Sequence, residues 1–237
     1  MKNYKIDNKK LKSHLLNYLK DIQKEYKKSK QVLVRDREAK QVFRGRQRAV
    51  YSVAEDLLAK RLWRIFKSKR IIIFVDQPIS LKGKNKVCYP DITICKKEDQ
   101  DRYIILYMLD LKMDVGWHRK SYMSHAKDLT IFCKQMKSCG QLKGKKYDID
   151  EEQKKQIIFD ICDNACYDEL IVSSKNSGKP ENERKLINKS HDKKTNIWVL
   201  LKGKHPNKKS GGIQPIYNDW IILITKINRI INKYIVD

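Results

Sequence analysis

The chain has 237 residues, 41% of them hydrophobic, which is enough apolar material for one well-buried domain and too much for an unfolded chain. Its formal net charge of +25, from 53 Lys and Arg against 28 Asp and Glu, favours polyanionic partners over acidic ones, although the abundant Lys, Asn and Ile also suit an AT-rich genome. No apolar run approaches the roughly 20 residues of a bilayer-spanning helix, and the opening Met1-Lys2-Asn3-Tyr4-Lys5 lacks the apolar core of a secretory signal, so a cytoplasmic setting is expected.

Residues 7–29 set Leu11, Leu15, Tyr18, Leu19, Ile22 and Tyr26 at helical spacing among lysines. This predicts an amphipathic helix with a basic outer face. It belongs to a basic N-terminal extension, residues 1–45, that ends at Gly45. From about Arg46 to Phe66 a second helix is expected, with Val50, Val53, Ala54, Leu57, Leu58, Leu62 and Ile65 on a wide apolar face. Glu55 lies at the edge of that face, with Tyr51, Leu58 and Leu62 at helical offsets. Taken alone, it reads as an exposed glutamate beside Arg48 or Lys60.

Ile71–Val75 is a short β-rich run stopped by Asp76-Gln77-Pro78. A basic turn at Lys82–Lys86 leads into Val87–Cys95, an apolar strand carrying one carboxylate, Asp91, directly after Pro90. Beyond a polar turn, Lys96–Asp101, comes the strand Tyr103–Lys112, which ends by presenting a carboxylate and an amine two residues apart. Side chains alternate across a strand, so Asp110 and Lys112 share a face. The connections are too short for parallel crossovers, and the three runs are expected to form an antiparallel meander.

Downstream, residues 120–138 read as a helix with Tyr122, Ala126, Leu129, Phe132, Cys133 and Met136 inward. Another helix is expected over roughly 150–165, capped by Asp148 or Asp150. Strands at Glu169–Ser173 and Ile197–Leu201 frame a polar loop, Ser174–Lys194. After the basic segment Lys202–Gly212, a last helix sets Trp220, Ile224, Ile227, Ile231 and Tyr234 in a stripe suited either to the core or to pairing two subunits. Six cysteines make no CxxC pair; Cys162 and Cys166, four apart on the expected helix, come nearest to a metal pair. No second Cys or His pair has zinc spacing, which leaves buried, reduced thiols as the expectation.

Charges inside apolar strands are costly unless they are paired or bind a metal. Two strands bearing Asp91, and Asp110 with Lys112, therefore suggest an acidic metal site with a lysine beside it. The order of a helix with Glu55, a strand, a strand with Pro90-Asp91, a strand with Asp110-Leu111-Lys112, a helix and a strand resembles the PD-(D/E)xK nuclease superfamily. That pattern is a carboxylate, usually after Pro, followed by Asp or Glu, any residue, then Lys. The resemblance covers about residues 46–175.

The resemblance implies an α/β (α+β mixed sheet) fold with a restriction-endonuclease-like αβββαβ core. Residues 1–237 would form one nuclease domain, with 46–175 the catalytic core and 176–237 adding a basic loop, a strand and the C-terminal helix. It further implies Mg²⁺ held by Asp91, Asp110 and the main-chain carbonyl of Leu111, with Glu55 acting through water or a second ion. Lys112 would orient or help deprotonate the attacking water and stabilise developing negative charge. The implied activity is DNA endonuclease, of the type II restriction kind and working as a homodimer. A junction-resolving, transposition or repair nuclease is the alternative within the superfamily. Outside it stands a basic nucleic-acid-binding protein in which Asp110 and Lys112 merely pair.

Just beyond the motif, Trp117 is placed to stack on a base, and Arg119 and Lys120 to meet phosphates. The same residues serve equally as a basic helix start with a packed tryptophan. His118 and His125 have no recognisable partner in sequence. Asp76 and Asp114, near the same strands, read as assisting or turn residues.

Overall fold

The β-branched and aromatic runs at the centre of the sequence form the centre of a sheet. In the computed structural model, which describes residues 7–34, 51–67, 70–81, 87–114, 122–148, 153–175, 185, 196–202 and 213–235, β4 (Ile92–Lys97) pairs antiparallel with β5 (Arg102–Asp114). On its other side β4 pairs antiparallel with β1 (Ile71–Val75), which completes the meander. The next partner of β5 is parallel: β7 (Gln153–Ser173), followed in turn by β8 (Ile197–Leu201), parallel to β7. A parallel neighbour needs a crossover, and helix α3 (Tyr122–Ser138) lies between β5 and β7 in the chain. The first half of β7 also carries an antiparallel wing of β6 (Leu142–Asp148), β2 (Ile79–Leu81) and β3 (Val87–Cys88). The result is a mixed, mostly antiparallel eight-stranded sheet with four helices among the described residues.

Helices cover both faces. On one side α1 (Asn8–Val34), α2 (Tyr51–Ile65) and α4 (Tyr217–Tyr234) share a core with the sheet, burying Leu15, Tyr18, Leu58, Leu62, Trp220 and Ile227. Hydrogen bonds fix these helices to each other: Tyr18 Oη donates to the Ala54 carbonyl at 3.2 Å, Arg61 to Asp21 Oδ2 at 2.8 Å, and Trp220 Nε1 to the Leu11 carbonyl at 3.0 Å. The C-terminal stripe Trp220, Ile224, Ile227 and Ile231 thus completes the core. On the other side α3 sets Leu129, Cys133 and Met136 against Ile105, Met108, Phe159 and Tyr167. Alternation along β5 assigns the faces: Tyr107, Leu109, Leu111 and Met113 meet the three-helix layer, and Met108 meets the α3 layer. Asp110 and Lys112 therefore emerge on the α3 side.

Several expectations are corrected. The helix expected over 150–165 is overturned from Gln153 on, where the chain is strand β7; residues 150–152 lie outside the described residues. Ile157 and Phe159 are fully buried there while Gln156 is exposed, a period of two that Ile158 obscures in the sequence. Cys162 and Cys166 consequently lie on a strand, at an irregularity where Ile105 pairs with Ile161 but Tyr107 pairs with Cys166. The six cysteines are free. Val87–Cys95 is not one strand: Pro90, which lacks an amide hydrogen for the ladder, separates β3 from β4, and Asp91 precedes β4. Asp110 and Lys112 do not end their strand, because β5 runs on to Asp114. Val53 is 38% exposed and leaves the apolar face of α2. The elements α2, β1, β4, β5, α3 and β7 follow in helix–strand–strand–strand–helix–strand order, with β2, β3 and β6 added between them. Among the described residues no helix is long and apolar enough to cross a membrane.

Candidate active site

Pro90 interrupts the strand, and Asp91 sits in the gap. Its carbonyl accepts the Asp76 amide at 3.0 Å, which pins Asp91 to the end of β1. Asp76 makes that turn at φ 48°, a left-handed conformation that Asp tolerates better than most residues. With its main chain held, the Asp91 carboxylate crosses to β5, where Oδ2 accepts the Leu111 amide at 2.5 Å. Two sequence-distant carboxylates, Asp91 and Asp110, are thereby brought to the same stretch of β5. The Asp91 carboxyl is pushed up to about 6, by burial first and then by the negative charge of Asp110. The Leu111 amide, Lys112 and Tyr51 pull the other way.

Asp110 and Lys112 share a face as their spacing demands, and the ammonium meets Asp110 Oδ2 at 2.5 Å. Glu55, which the sequence left at the edge of an apolar face, is buried on α2. Burial first, then the charges of Asp91, Asp76 and Asp56, push its carboxyl up to about 7, with Lys112 opposing. The fold thus brings Glu55, Asp91, Asp110 and Lys112 into one electrostatic neighbourhood. Trp117, Arg119 and Lys120, together with His118, lie outside the described residues.

Three further side chains belong to this neighbourhood, and the sequence reading assigned none of them. Tyr51 stands one helical turn before Glu55. Its hydroxyl donates to the Leu111 carbonyl, lies 3.2 Å from Asp91 Oδ2, and accepts from Lys112 Nζ at 3.4 Å. Glu169, fully buried on β7, pairs in register with Asp110 on β5. His125 of α3 bridges the two: its Nδ1 is 3.2 Å from Glu169 Oε2 and its Nε2 is 3.8 Å from Asp110 Oδ2. The expectation that His125 lacks a partner is therefore corrected. Its pKa is raised, chiefly by the hydrogen bond to Glu169, against the opposing effect of burial. Glu169 was detectable by the same signal that exposed Asp110, a carboxylate opening an apolar strand. Its neighbour Asp168 points to the opposite layer and is structural there: Oδ2 meets Tyr107 Oη, Trp198 Nε1 at 2.7 Å and Lys226 Nζ at 2.7 Å.

The donor set suits a hard divalent cation. Two neighbouring carboxylates, one of them raised by burial and then by its neighbour's charge, gain from a cation between them, and the Leu111 carbonyl faces the same hydroxyl as Asp91. Among the described residues no three carboxylate, imidazole or thiol groups gather closely enough to hold a metal ion by themselves. The oxygens of Asp91, Asp110 and the Leu111 main chain are accordingly the set available, with Glu55 standing behind them. No protein-family model, no curated protein and no solved structure matches this chain.

Proposed function

We propose that the chain is a Mg²⁺-dependent endonuclease that hydrolyses DNA phosphodiester bonds from a restriction-endonuclease-like core. The observation that carries this reading is the 2.5 Å hydrogen bond from the Leu111 amide to Asp91 Oδ2. It locks the carboxylate of Pro90-Asp91 onto the middle residue of Asp110-Leu111-Lys112, although the sequence places these two motifs on different elements. The helix–strand–strand–strand–helix–strand order and the +25 net charge add support.

In this reading Asp91, Asp110 and the Leu111 carbonyl hold the ion. When bound, Mg²⁺ supplies charge neutralisation on the phosphate and acidifies a coordinated water. Lys112, held by Asp110 on the same side of the strand, orients the attacking water and offsets negative charge that develops in the transition state. Glu55, with a carboxyl near 7, accepts a proton at neutral pH more readily than an ordinary glutamate. The basic exterior gathers the polyanion without reading its sequence. One site per chain cuts one strand, so type II-like double-strand cleavage calls for a homodimer.

The test is purified protein on supercoiled plasmid, with Mg²⁺ and with EDTA. Nicking or linearisation only with Mg²⁺, lost in Lys112→Ala while plasmid retention in a mobility shift persists, is the expected result. Retention without cleavage across DNA and RNA substrates would leave a basic binding protein in its place.

A further inference from the structure

The phenol of Tyr51 touches the very atoms that the proposed cation needs. It donates to the Leu111 carbonyl, lies 3.2 Å from Asp91 Oδ2, and receives Lys112 Nζ at 3.4 Å. A phenol has one hydrogen, so it serves Leu111 and Asp91 alternately while its oxygen stays anchored by Lys112. The position of that oxygen thus marks the point where a carbonyl, a carboxylate and an ammonium converge. Tyr51 is held there from both ends. It is the first residue of α2, whose Ala54 carbonyl is tied to α1 through Tyr18, and its ring packs against the helical core.

We infer that Tyr51 is a resident donor of the cation site: its hydroxyl caps the Leu111 and Asp91 oxygens when no cation is present and must give way when one enters. This rests on the hydrolase reading and adds a residue to it that the motif does not contain. Without such a donor, two acceptor oxygens would face each other, close to a second carboxylate, with Lys112 and the Leu111 amide to offset them among the described residues. With it, the Leu111 carbonyl and Asp91 Oδ2 share a donor when no cation is present, and cation affinity is reduced by whatever the hydroxyl contributes. A net hydrogen bond of ordinary strength corresponds to a competition of about 2- to 12-fold. Tyr51 is a positioning residue in this scheme, since it leaves the oxygens before chemistry.

The experiment is calorimetric titration of Mg²⁺ into the full chain at pH 8, comparing wild type, Tyr51→Phe and Asp110→Asn. Tyr51→Phe keeps the ring and removes only the competing hydroxyl, so it should bind Mg²⁺ about 2- to 12-fold more tightly than wild type, while Asp110→Asn loses binding. A second measurement needs no stable variant at the site: with 13Cζ-labelled tyrosine, the Tyr51 resonance should move on saturation with Mg²⁺ as its hydrogen bonds exchange. Equal or weaker binding by Tyr51→Phe, or a Tyr51 resonance unmoved by saturating Mg²⁺, overturns the inference and leaves the hydrolase reading standing if Asp110→Asn still abolishes binding. Absence of Mg²⁺ binding in wild type and Tyr51→Phe alike overturns both.

Discussion

Asp110 and Glu169 lie opposite each other on the parallel strands β5 and β7, and the imidazole of His125 reaches both carboxylates. A fully buried glutamate beside a second acid needs a donor, and α3 supplies it. The hydrogen bond to Glu169 is the main cause that raises the His125 pKa. In Glu169→Gln that pKa should fall, read from the His125 ring resonances in an NMR pH titration. The sign for stability follows: the pair contributes fully below the ordinary histidine pKa of about 6.5, and the contribution is lost as pH rises through the higher folded value. An unchanged His125 pKa in Glu169→Gln would show that another group holds the imidazole.

Asp91 works in the same direction for the opposite chemical reason. Its carboxyl is raised from 3.8 to about 6, so the folded chain is penalised once the group must ionise. Stability without metal should be greatest below about pH 4 as far as this group is concerned, and should fall as pH rises through 6. The full loss is on the order of 3 kcal/mol for a shift of about two units. Asp91→Asn should flatten that part of the profile in urea denaturation series at pH 4 to 8. A wild-type and Asp91→Asn pair with parallel profiles would contradict the crowding of Asp91 by Asp110.

The layer on the other face makes a prediction that is independent of function. Asp168 is fully buried and accepts from Tyr107, Trp198 and Lys226. Its removal leaves the buried Tyr107 and Trp198 donors without this acceptor and the partly exposed Lys226 with Asn196 Oδ1, at a cost of about 3 kcal/mol. Asp168→Ala should lower the urea midpoint accordingly, and Lys226→Met should cost markedly less because its stem keeps the packing. Equal losses would place the energy in the lysine and not in the buried carboxylate.

How much of this was legible in the sequence depends on whether one period dominated locally. Helices α1 and α2 and the final helix carry clean 3.6-residue stripes, and Leu11, Leu15, Tyr18, Leu19, Ile22 and Tyr26 are all buried as that spacing requires. The meander was legible because short turns leave no other topology. By contrast, Gln153–Asp160 offers a basic, polar entry and an Ile-Ile pair that mimics a helical face. Only its pairing with β5 and β6 on both sides makes it a strand, and pairing is non-local. The strands β2 and β6 were missed for that reason too, and β3 was read as one strand with β4; β2 and β3 are short and β6 is nearly all polar.

The site divides along the same line. Asp110 and Lys112 needed only the two-residue period of a strand, and their ion pair follows from it. The reach of Asp91 to Leu111 depends on a turn held by the Asp76 amide, and that of His125 to Glu169 on the packing of α3 over β7. Neither is written in local spacing. Glu55 shows the limit from the other side: its helix was legible, but burial first, then the charges of Asp91, Asp76 and Asp56, set its carboxyl near 7.

The most direct measurement is the single-turnover rate of DNA cleavage at a Mg²⁺ concentration that saturates wild type, for wild type and Asp110→Asn at protein concentrations giving equal DNA occupancy. Asp110→Asn keeps the size of the side chain and removes the charge that Lys112 and the cation share. The expected result is a fall of about 100-fold or more, the scale of losing one preorganised charge at a reacting phosphate, with DNA affinity within a few-fold of wild type. Cleavage by Asp110→Asn at the wild-type rate would contradict it.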